Sequence, residues 1–236
     1  MEEFSPFGEP DAAVLFANPA FYKKLLFPFI GLVLPQRFNL DNEERWSYMG
    51  QESFKDLLSE LNGKWSQRSA LWLYGTKGYG KSHLLAALAY YLATTKARII
   101  YIPNCRELIR DPISYLQASM MFAFAEDDER LKEITCLDTF KKMNRFFKTC
   151  EKSIFIIDQV NALPGVDFTM MNIAAWITVF QTKHKVVLSS SANYRTYLER
   201  SVKQTTEDTI RVYGGYTEVS LSEYLVGKKG SLLTMI

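Results

Sequence analysis

The sequence predicts an α/β fold in which a mostly parallel sheet of about five strands is covered by helices on both faces. Apolar runs that are typical of buried strands alternate along the chain with helical segments, which is the order expected of a parallel sheet with crossover helices. The chain has 236 residues, of which 47% are hydrophobic and 23% are charged. This length and composition indicate one globular domain with a substantial core.

The predicted elements follow one another in a regular order. Strands are predicted from short apolar runs at residues 70–75, 97–103, 153–160, 185–192 and 209–215. Helices are predicted from apolar residues at helical spacings at residues 43–61, 81–95, 172–183 and 193–205. Between the second and third strands, residues 113–152 are predicted to form a helical insertion, so the insertion interrupts the simple alternation of strands and helices.

Three regions are expected along the chain. Residues 1–36 are predicted to be an irregular N-terminal segment, residues 37–216 the main domain, and residues 217–236 a short C-terminal tail or a truncated lid. The apolar run at 25–35 follows two lysines and so mimics a signal peptide, but it starts far from Met1 and contains two prolines. Its eleven residues are well short of the roughly 20 that span a bilayer, and we therefore expect no membrane span.

The net charge and the cysteine content indicate which binding partners and which cellular compartment to expect. The net charge of +2 is too small to indicate a nucleic-acid partner or an anionic membrane. Three cysteines without CxxC pairing fit a reducing compartment better than a disulfide scaffold. We therefore expect an intracellular protein, either cytoplasmic or nuclear.

A glycine-rich loop follows the first predicted strand of the sheet. Residues 75–82 match the phosphate-loop pattern G-x-x-x-x-G-K-[ST], with a predicted strand before them and a predicted helix after them. The glycines let the backbone curl around a phosphate, and the start of the helix presents N–H groups to it. The alternative is a glycine-rich turn with an incidental lysine. The predicted nucleotide-binding residues are Gly75, Thr76, Lys77, Gly78, Tyr79, Gly80, Lys81, Ser82 and His83.

Phosphoryl chemistry also requires a carboxylate near the metal that accompanies the phosphates. Asp158 ends the third predicted strand, and with Ser82 it is the predicted Mg²⁺ ligand; the alternative is that it only begins a turn. Gln159 follows where a glutamate would polarise the attacking water. Glutamine cannot remove a proton, but it can orient water, so slow hydrolysis is expected rather than none.

A polar side chain after the fourth strand is a further candidate, as a sensor of the terminal phosphate. Ser190, Ser191 and Asn193 all qualify, and Asn193 is included with Lys81, Asp158 and Gln159 in the predicted catalytic set. The alternative is a serine-rich strand end that leads into a capped helix. Since neither an NKxD motif nor a DxxG motif after the third strand occurs, ATP is favoured over GTP.

Four separated blocks together resemble a known family. The stretches at 37–54, 74–92, 155–163 and 186–193 are similar to the P-loop NTPase module of fungal Crinkler-type proteins, which is related to the trypanosome retrotransposon hot spot proteins. The resemblance implies a three-layer P-loop NTPase of the AAA-like or STAND-like branch and supports residues 75–82, Asp158 and Gln159. It implies more weakly a role for Asn193, and a role for the predicted helix near Trp46 as a wall for the adenine base. By analogy alone, it also makes nucleic acid a candidate partner.

The expected function follows from these observations. The chain is predicted to bind ATP, to hydrolyse it slowly with Mg²⁺, and to act as a conformational switch for a protein partner. The alternatives are a nucleotide-binding interaction module that does not hydrolyse ATP, a host-directed effector fragment, and a nucleotide kinase.

Overall fold

The computed structural model of the protein describes residues 10–29, 31, 34–63, 70–76, 78–163, 168–191 and 209–212. Within these residues the strands are β1 (Tyr22–Leu26), β2 (Arg45–Met49), β3 (Leu71–Gly75), β4 (Ile99–Ile102), β5 (Ile154–Ile157), β6 (Lys185–Ser191) and β7 (Thr209–Arg211). The helices are α1 (Pro10–Ala17), α2 (Ser53–Gly63), α3 (Lys81–Thr94), α4 (Cys105–Arg110), α5 (Pro112–Ala123), α6 (Asp128–Thr135), α7 (Phe140–Thr149) and α8 (Phe168–Lys183).

A five-stranded parallel sheet lies at the centre of the fold, with the strand order β4-β5-β6-β3-β7. All four residues of β4 are buried, as are the last three of β5, because both faces of a parallel sheet are covered by other elements. The prediction of a parallel sheet of about five strands in a three-layer α/β fold is therefore confirmed.

Strand β3 occupies an interior position of the sheet, between β6 and β7. Tyr74 stands opposite Ser190 on one side and Arg211 on the other. At the end of the strand, a side chain on Gly75 would collide with the backbone carbonyl oxygen of Val212. Only glycine fits this close approach, so the sequence places one at the point where the loop leaves the sheet.

An antiparallel hairpin of β1 and β2 packs beside the sheet, and the helix predicted for part of this region is wrong. Residues 45–49 were expected to be helical, but they form β2, in which the buried rings of Trp46 and Tyr48 alternate with exposed Ser47. This period of two is the pattern of a strand, and aromatic residues favour strands. The helix begins only at Ser53.

The first part of the chain is more regular than predicted. Residues 10–26 were expected to be irregular, yet they form α1 and β1, because Phe16 and Leu25 are buried in the same core as Trp46. The predicted helix at 193–205 lies outside the described residues. The domain limits at 36–37 and 216–217 stay predictions.

The predicted helical insertion between the second and third strands of the sheet is present as α5 to α7, and a further helix that was not predicted, α4, precedes it. Each of these helices begins after a residue whose side chain accepts a hydrogen bond from a backbone N–H group of the first turn; these residues are Asn104, Asp111, Asp127 and Thr139. Such N-caps explain why one polar segment divides into four short helices. No helix in the described ranges has both the length and the apolar character needed to cross a membrane.

Candidate functional site

The glycine-rich loop joins the end of β3 to the start of α3. Gly78 and Gly80 have φ angles of 96° and 76°, in the region that other residues rarely adopt. A Cβ atom on Gly78 would meet nothing within 4 Å, whereas one on Gly80 would lie 3.0 Å from the carboxamide of Gln51. The loop thus has an open side at Gly78, and the N-terminus of α3 lies directly behind it, where backbone N–H groups attract anions.

The Lys81 ammonium group lies against the first two residues of this loop, Gly75 and Thr76, which we call the root of the loop. Its Nζ donates hydrogen bonds to the carbonyl oxygens of Gly75 and Thr76, at 2.6 and 2.7 Å, and the residue is only 8% exposed. Burial lowers the pKa of Lys81, and the negative charge of Asp158 opposes this effect. The structure therefore brings Lys81 and Asp158, predicted from separate parts of the sequence, within electrostatic reach of each other.

Asp158 follows β5 directly and is buried. Its Oδ1 accepts a hydrogen bond from the backbone N–H of Gln159 at 2.8 Å, and its Oδ2 accepts one from the Arg37 guanidinium at 2.9 Å. Gln159 itself has a left-handed backbone, with φ of 63°, and is half-buried at the start of a short 3-10 helix (Val160–Ala162). The turn of the chain at Gln159 fixes the direction of the carboxylate.

Arg37 was missed by sequence reasoning. It lies in a 3-10 helix (Gln36–Phe38) before β2, and it also donates a hydrogen bond to the carbonyl oxygen of Pro103, the residue that follows β4 by one position. Its partner Asp158 is 121 positions away in the sequence. No local pattern joins two such positions, so only the folded chain reveals the pair.

The remaining predicted residues are distributed around the loop. Thr76 is exposed, Tyr79 and Ser82 are half-buried, and Lys77 lies outside the described residues. Ser190 is buried near the end of β6, and Ser191 is the last residue of that strand. Asn193 lies outside the part of the chain that the structure describes, so the choice among the three sensor candidates stays open.

His83 and Trp46 belong to an aromatic cluster. The His83 ring lies 4.9 Å from the ring of Phe38 and 5.4 Å from that of Trp46, measured between centroids. Burial, with a smaller contribution from the positive charge of Arg37, lowers the pKa of His83 to about 4, so its imidazole is neutral. Trp46 is fully buried and has no exposed face against which an adenine base could pack.

The glycine-rich loop, Lys81, Ser82 and Asp158 have the chemistry to bind a nucleotide with its magnesium ion. The loop offers an ammonium group and backbone N–H groups to phosphates, and Asp158 offers one carboxylate. Among the described residues no group of three or more His, Cys, Asp or Glu side chains could hold a metal by itself. Magnesium in nucleotide sites characteristically takes one or two carboxylates and completes its shell with phosphates and water, so a single Asp158 with Ser82 fits this chemistry.

The chain has a three-layer α/β fold, with a glycine-rich loop between β3 and α3 that matches the phosphate-loop pattern. A solved structure described as a DNA replication initiation factor has this fold, with a TM-score of 0.51, 14% sequence identity, and coverage of 88% of this chain and 56% of that chain. A weaker similarity, with a TM-score of 0.49 and 15% identity over 76% of this chain and 50% of that chain, is to AMPPCP-bound DnaA from Aquifex aeolicus.

Among curated proteins, the chain is similar to the chromosomal replication initiator protein DnaA of Acinetobacter baumannii. The two are 25% identical over 189 residues, which cover 79% of this chain and 34% of the relative. DnaA of Acinetobacter baylyi is 25% identical over 175 residues, which cover 73% of this chain and 31% of the relative. The chain thus spans about a third of the length of these relatives. No family model matches the chain.

These comparisons correct the family expected from the sequence. The similar proteins are DnaA-like replication initiation proteins, not Crinkler-type or retrotransposon hot spot proteins, so the resemblance was wrong, and the effector alternative that depended on it has no support. The physical reason is that two of the four blocks contain the phosphate loop and the carboxylate that ends a strand. Many nucleotide-binding proteins share these two features, which therefore do not identify one family.

Proposed function

We propose that the chain binds ATP with Mg²⁺ at residues 75–82 and Asp158, hydrolyses it slowly, and acts as a nucleotide-dependent conformational switch. The observation that carries the proposal is the buried ammonium group of Lys81, which covers the carbonyl oxygens at the root of the loop within electrostatic reach of Asp158. A buried cation of this kind, next to a helix N-terminus, is suited to phosphate oxygens.

Each residue has a distinct proposed task. Lys81 exchanges its two carbonyl acceptors for phosphate oxygens, while the glycines at 78 and 80 hold the loop backbone in its anion-binding shape. Ser82 and Asp158 hold the magnesium ion, which supplies neutralisation of phosphate charge when bound. The loop that leads to Lys81 leaves the end of β3, and Asp158 follows the end of β5; these two strands lie on either side of β6.

Gln159 determines the expected rate. Its carboxamide can donate and accept hydrogen bonds and so orient an attacking water, but it cannot take a proton. General-base catalysis typically contributes about 10²- to 10⁴-fold, so the proposed hydrolysis is slow by a factor in this range. Ser190, Ser191 and Asn193 remain the candidates for sensing the terminal phosphate.

The similar proteins suggest which class of partner responds to the nucleotide state of this chain. Because DnaA is named as a chromosomal replication initiator protein, we place the partner that reads the nucleotide state among the protein or DNA components of replication initiation. The chain spans only about a third of those relatives, so this placement is part of the proposal.

Calorimetric titration with ATP and with GTP, each with and without Mg²⁺, tests binding, and phosphate release tests turnover. The Lys81→Ala variant should lose at least about tenfold in ATP affinity, because a charge-assisted contact contributes roughly 1.5–3 kcal/mol. The matched control is Lys55→Ala, which removes an exposed lysine on α2. Equal phosphate release by wild type and Lys81→Ala would exclude hydrolysis, and binding without release would leave a module that only binds nucleotide.

A further inference from the structure

Arg37 links the N-terminal hairpin to the carboxyl ends of two central strands. We use N-terminal hairpin for β1, β2 and the 3-10 helix (Gln36–Phe38) between them. From this 3-10 helix the guanidinium reaches the Pro103 carbonyl, just beyond β4, and the carboxylate of Asp158, just beyond β5. Arg37 is therefore the point at which the hairpin contacts the proposed metal ligand.

The geometry of the contact places a positive charge where a metal ion would compete for the same carboxylate. The Arg37 and Asp158 side chains are 26% and 3% exposed, so the pair is shielded from water on the carboxylate side. The Oδ1 atom of Asp158 accepts the backbone N–H of Gln159, and Oδ2 accepts the guanidinium. A cation approaching this carboxylate meets like-charge repulsion from Arg37, which is strong in a partly buried site.

Not every polar atom of the Arg37 side chain has a hydrogen-bond partner within the part of the chain that the structure describes. Its Nε atom is buried without a hydrogen-bond partner, and its guanidinium carbon lies 5.0 Å from the centroid of the Phe38 ring. A buried donor without a partner costs free energy. Among the described residues, the guanidinium donates its hydrogen bonds to Asp158 and to the Pro103 carbonyl, and Asp158 supplies the negative charge of this pair.

We propose that Arg37 is a latch that occupies Asp158 in the nucleotide-free protein, and that binding of a magnesium–nucleotide complex requires the guanidinium to leave. This inference rests on the proposed function and adds its regulation. Release of Arg37 removes one tie between the hairpin and the sheet, so the hairpin is the part of the protein that responds to the nucleotide. Arg37 is in this sense a positioning residue for Asp158.

The test compares Arg37→Met, which keeps the length of the side chain and removes its charge, with wild type. Binding of a non-hydrolysable ATP analogue is measured by calorimetry with Mg²⁺ and with a chelator. If only a small fraction of the free protein has Arg37 away from Asp158, the apparent nucleotide affinity of wild type is reduced in proportion to that fraction. Removal of the Arg37 charge should restore the full affinity. We expect Arg37→Met to bind the magnesium complex at least about fivefold more tightly, with unchanged affinity in the chelator.

The matched control is Arg45→Met, since Arg45 lies in the same hairpin and pairs with Glu43 instead. A second measurement on the wild type avoids dependence on the folding of a variant. Hydrogen exchange of residues 34–49 should become faster on addition of the analogue with Mg²⁺, and should not change with the analogue in chelator. If the ion pair between Arg37 and Asp158 had only a structural role, Arg37→Met would be less stable than wild type, but the magnesium dependence of its nucleotide binding would be unchanged.

The outcomes separate the two proposals. If wild type binds the analogue and Arg37→Met shows no gain with Mg²⁺, or if exchange in the hairpin does not respond, the latch is wrong and the proposed function stands. If neither protein binds the analogue, the proposed function fails and the latch fails with it. Binding by Arg37→Met alone would support both.

Discussion

Lowering the pH below neutrality should destabilise the protein through His83. The imidazole packs against Phe38 and Trp46, and burial together with the nearby Arg37 charge lowers its pKa from 6.5 to about 4. In the unfolded chain the same side chain titrates near its ordinary pKa. Between these two values the unfolded state binds more protons, so the free energy of unfolding falls as the pH falls from about 6.5 towards 4.

The size of this effect follows from the shift. Each unit of difference in pKa corresponds to about 1.4 kcal/mol, so between pH 8 and 4.5 His83 should remove about 2.5 kcal/mol of stability. This is a large fraction of the roughly 5–15 kcal/mol that stabilises a typical domain. The stability should be fully present above about pH 7 and lost progressively below pH 6.5.

Urea unfolding across this pH range, for wild type and His83→Gln, measures the effect. The variant lacks the titrating group. The free energy of unfolding of wild type minus that of the variant should therefore fall by about 2.5 kcal/mol on acidification. Carboxylates contribute equally to both proteins, as does His184, whose pKa is also lowered mainly by burial, and these contributions cancel in the difference. Parallel loss of stability in both proteins would refute the reasoning.

Four further substitutions have definite expected outcomes in urea unfolding. Gly75→Ala should destabilise the fold by about 1–3 kcal/mol or more, because the new methyl group collides with the backbone of Val212; an effect within error would contradict the close approach. Phe180→Ala should cost about 3–5 kcal/mol, since its buried ring stacks 3.9 Å from that of Phe155, whereas Met171→Ala, at an exposed site, should cost under about 0.5 kcal/mol. Glu151→Gln should cost about 1 kcal/mol or less and show no effect in high salt, because its partners are surface arginines.

The central sheet and the loop could be predicted because their signals are local. A strand buried on both faces is a continuous apolar run, as in β5, and the loop carries fixed residue types at fixed spacing between a strand and a helix. The hairpin could not be predicted in the same way. In β1 only Leu25 is fully buried and two lysines occupy exposed positions, so the strand has almost no apolar pattern.

The error at β2 has a related cause. Trp46 and the apolar residues of α2 match a helical spacing when read together, although the alternation around Tyr48 is that of a strand. At the candidate site, the positions of Lys81 and Asp158 follow from sequence, because the carboxyl ends of parallel strands meet at one edge. The Arg37 contact does not follow, since it depends on how the hairpin packs onto the sheet.

The interior position of β3 has a mechanical consequence. Neighbouring strands hold it on both flanks, and Gly75 is pressed against Val212, so the root of the phosphate loop is anchored where the molecule can deform least. Structural change on ligand binding must therefore be taken up at the periphery. A pair of spectroscopic labels that spans β6 and the N-terminal hairpin should report such a change, whereas a pair confined to β5 and β6 should give no signal.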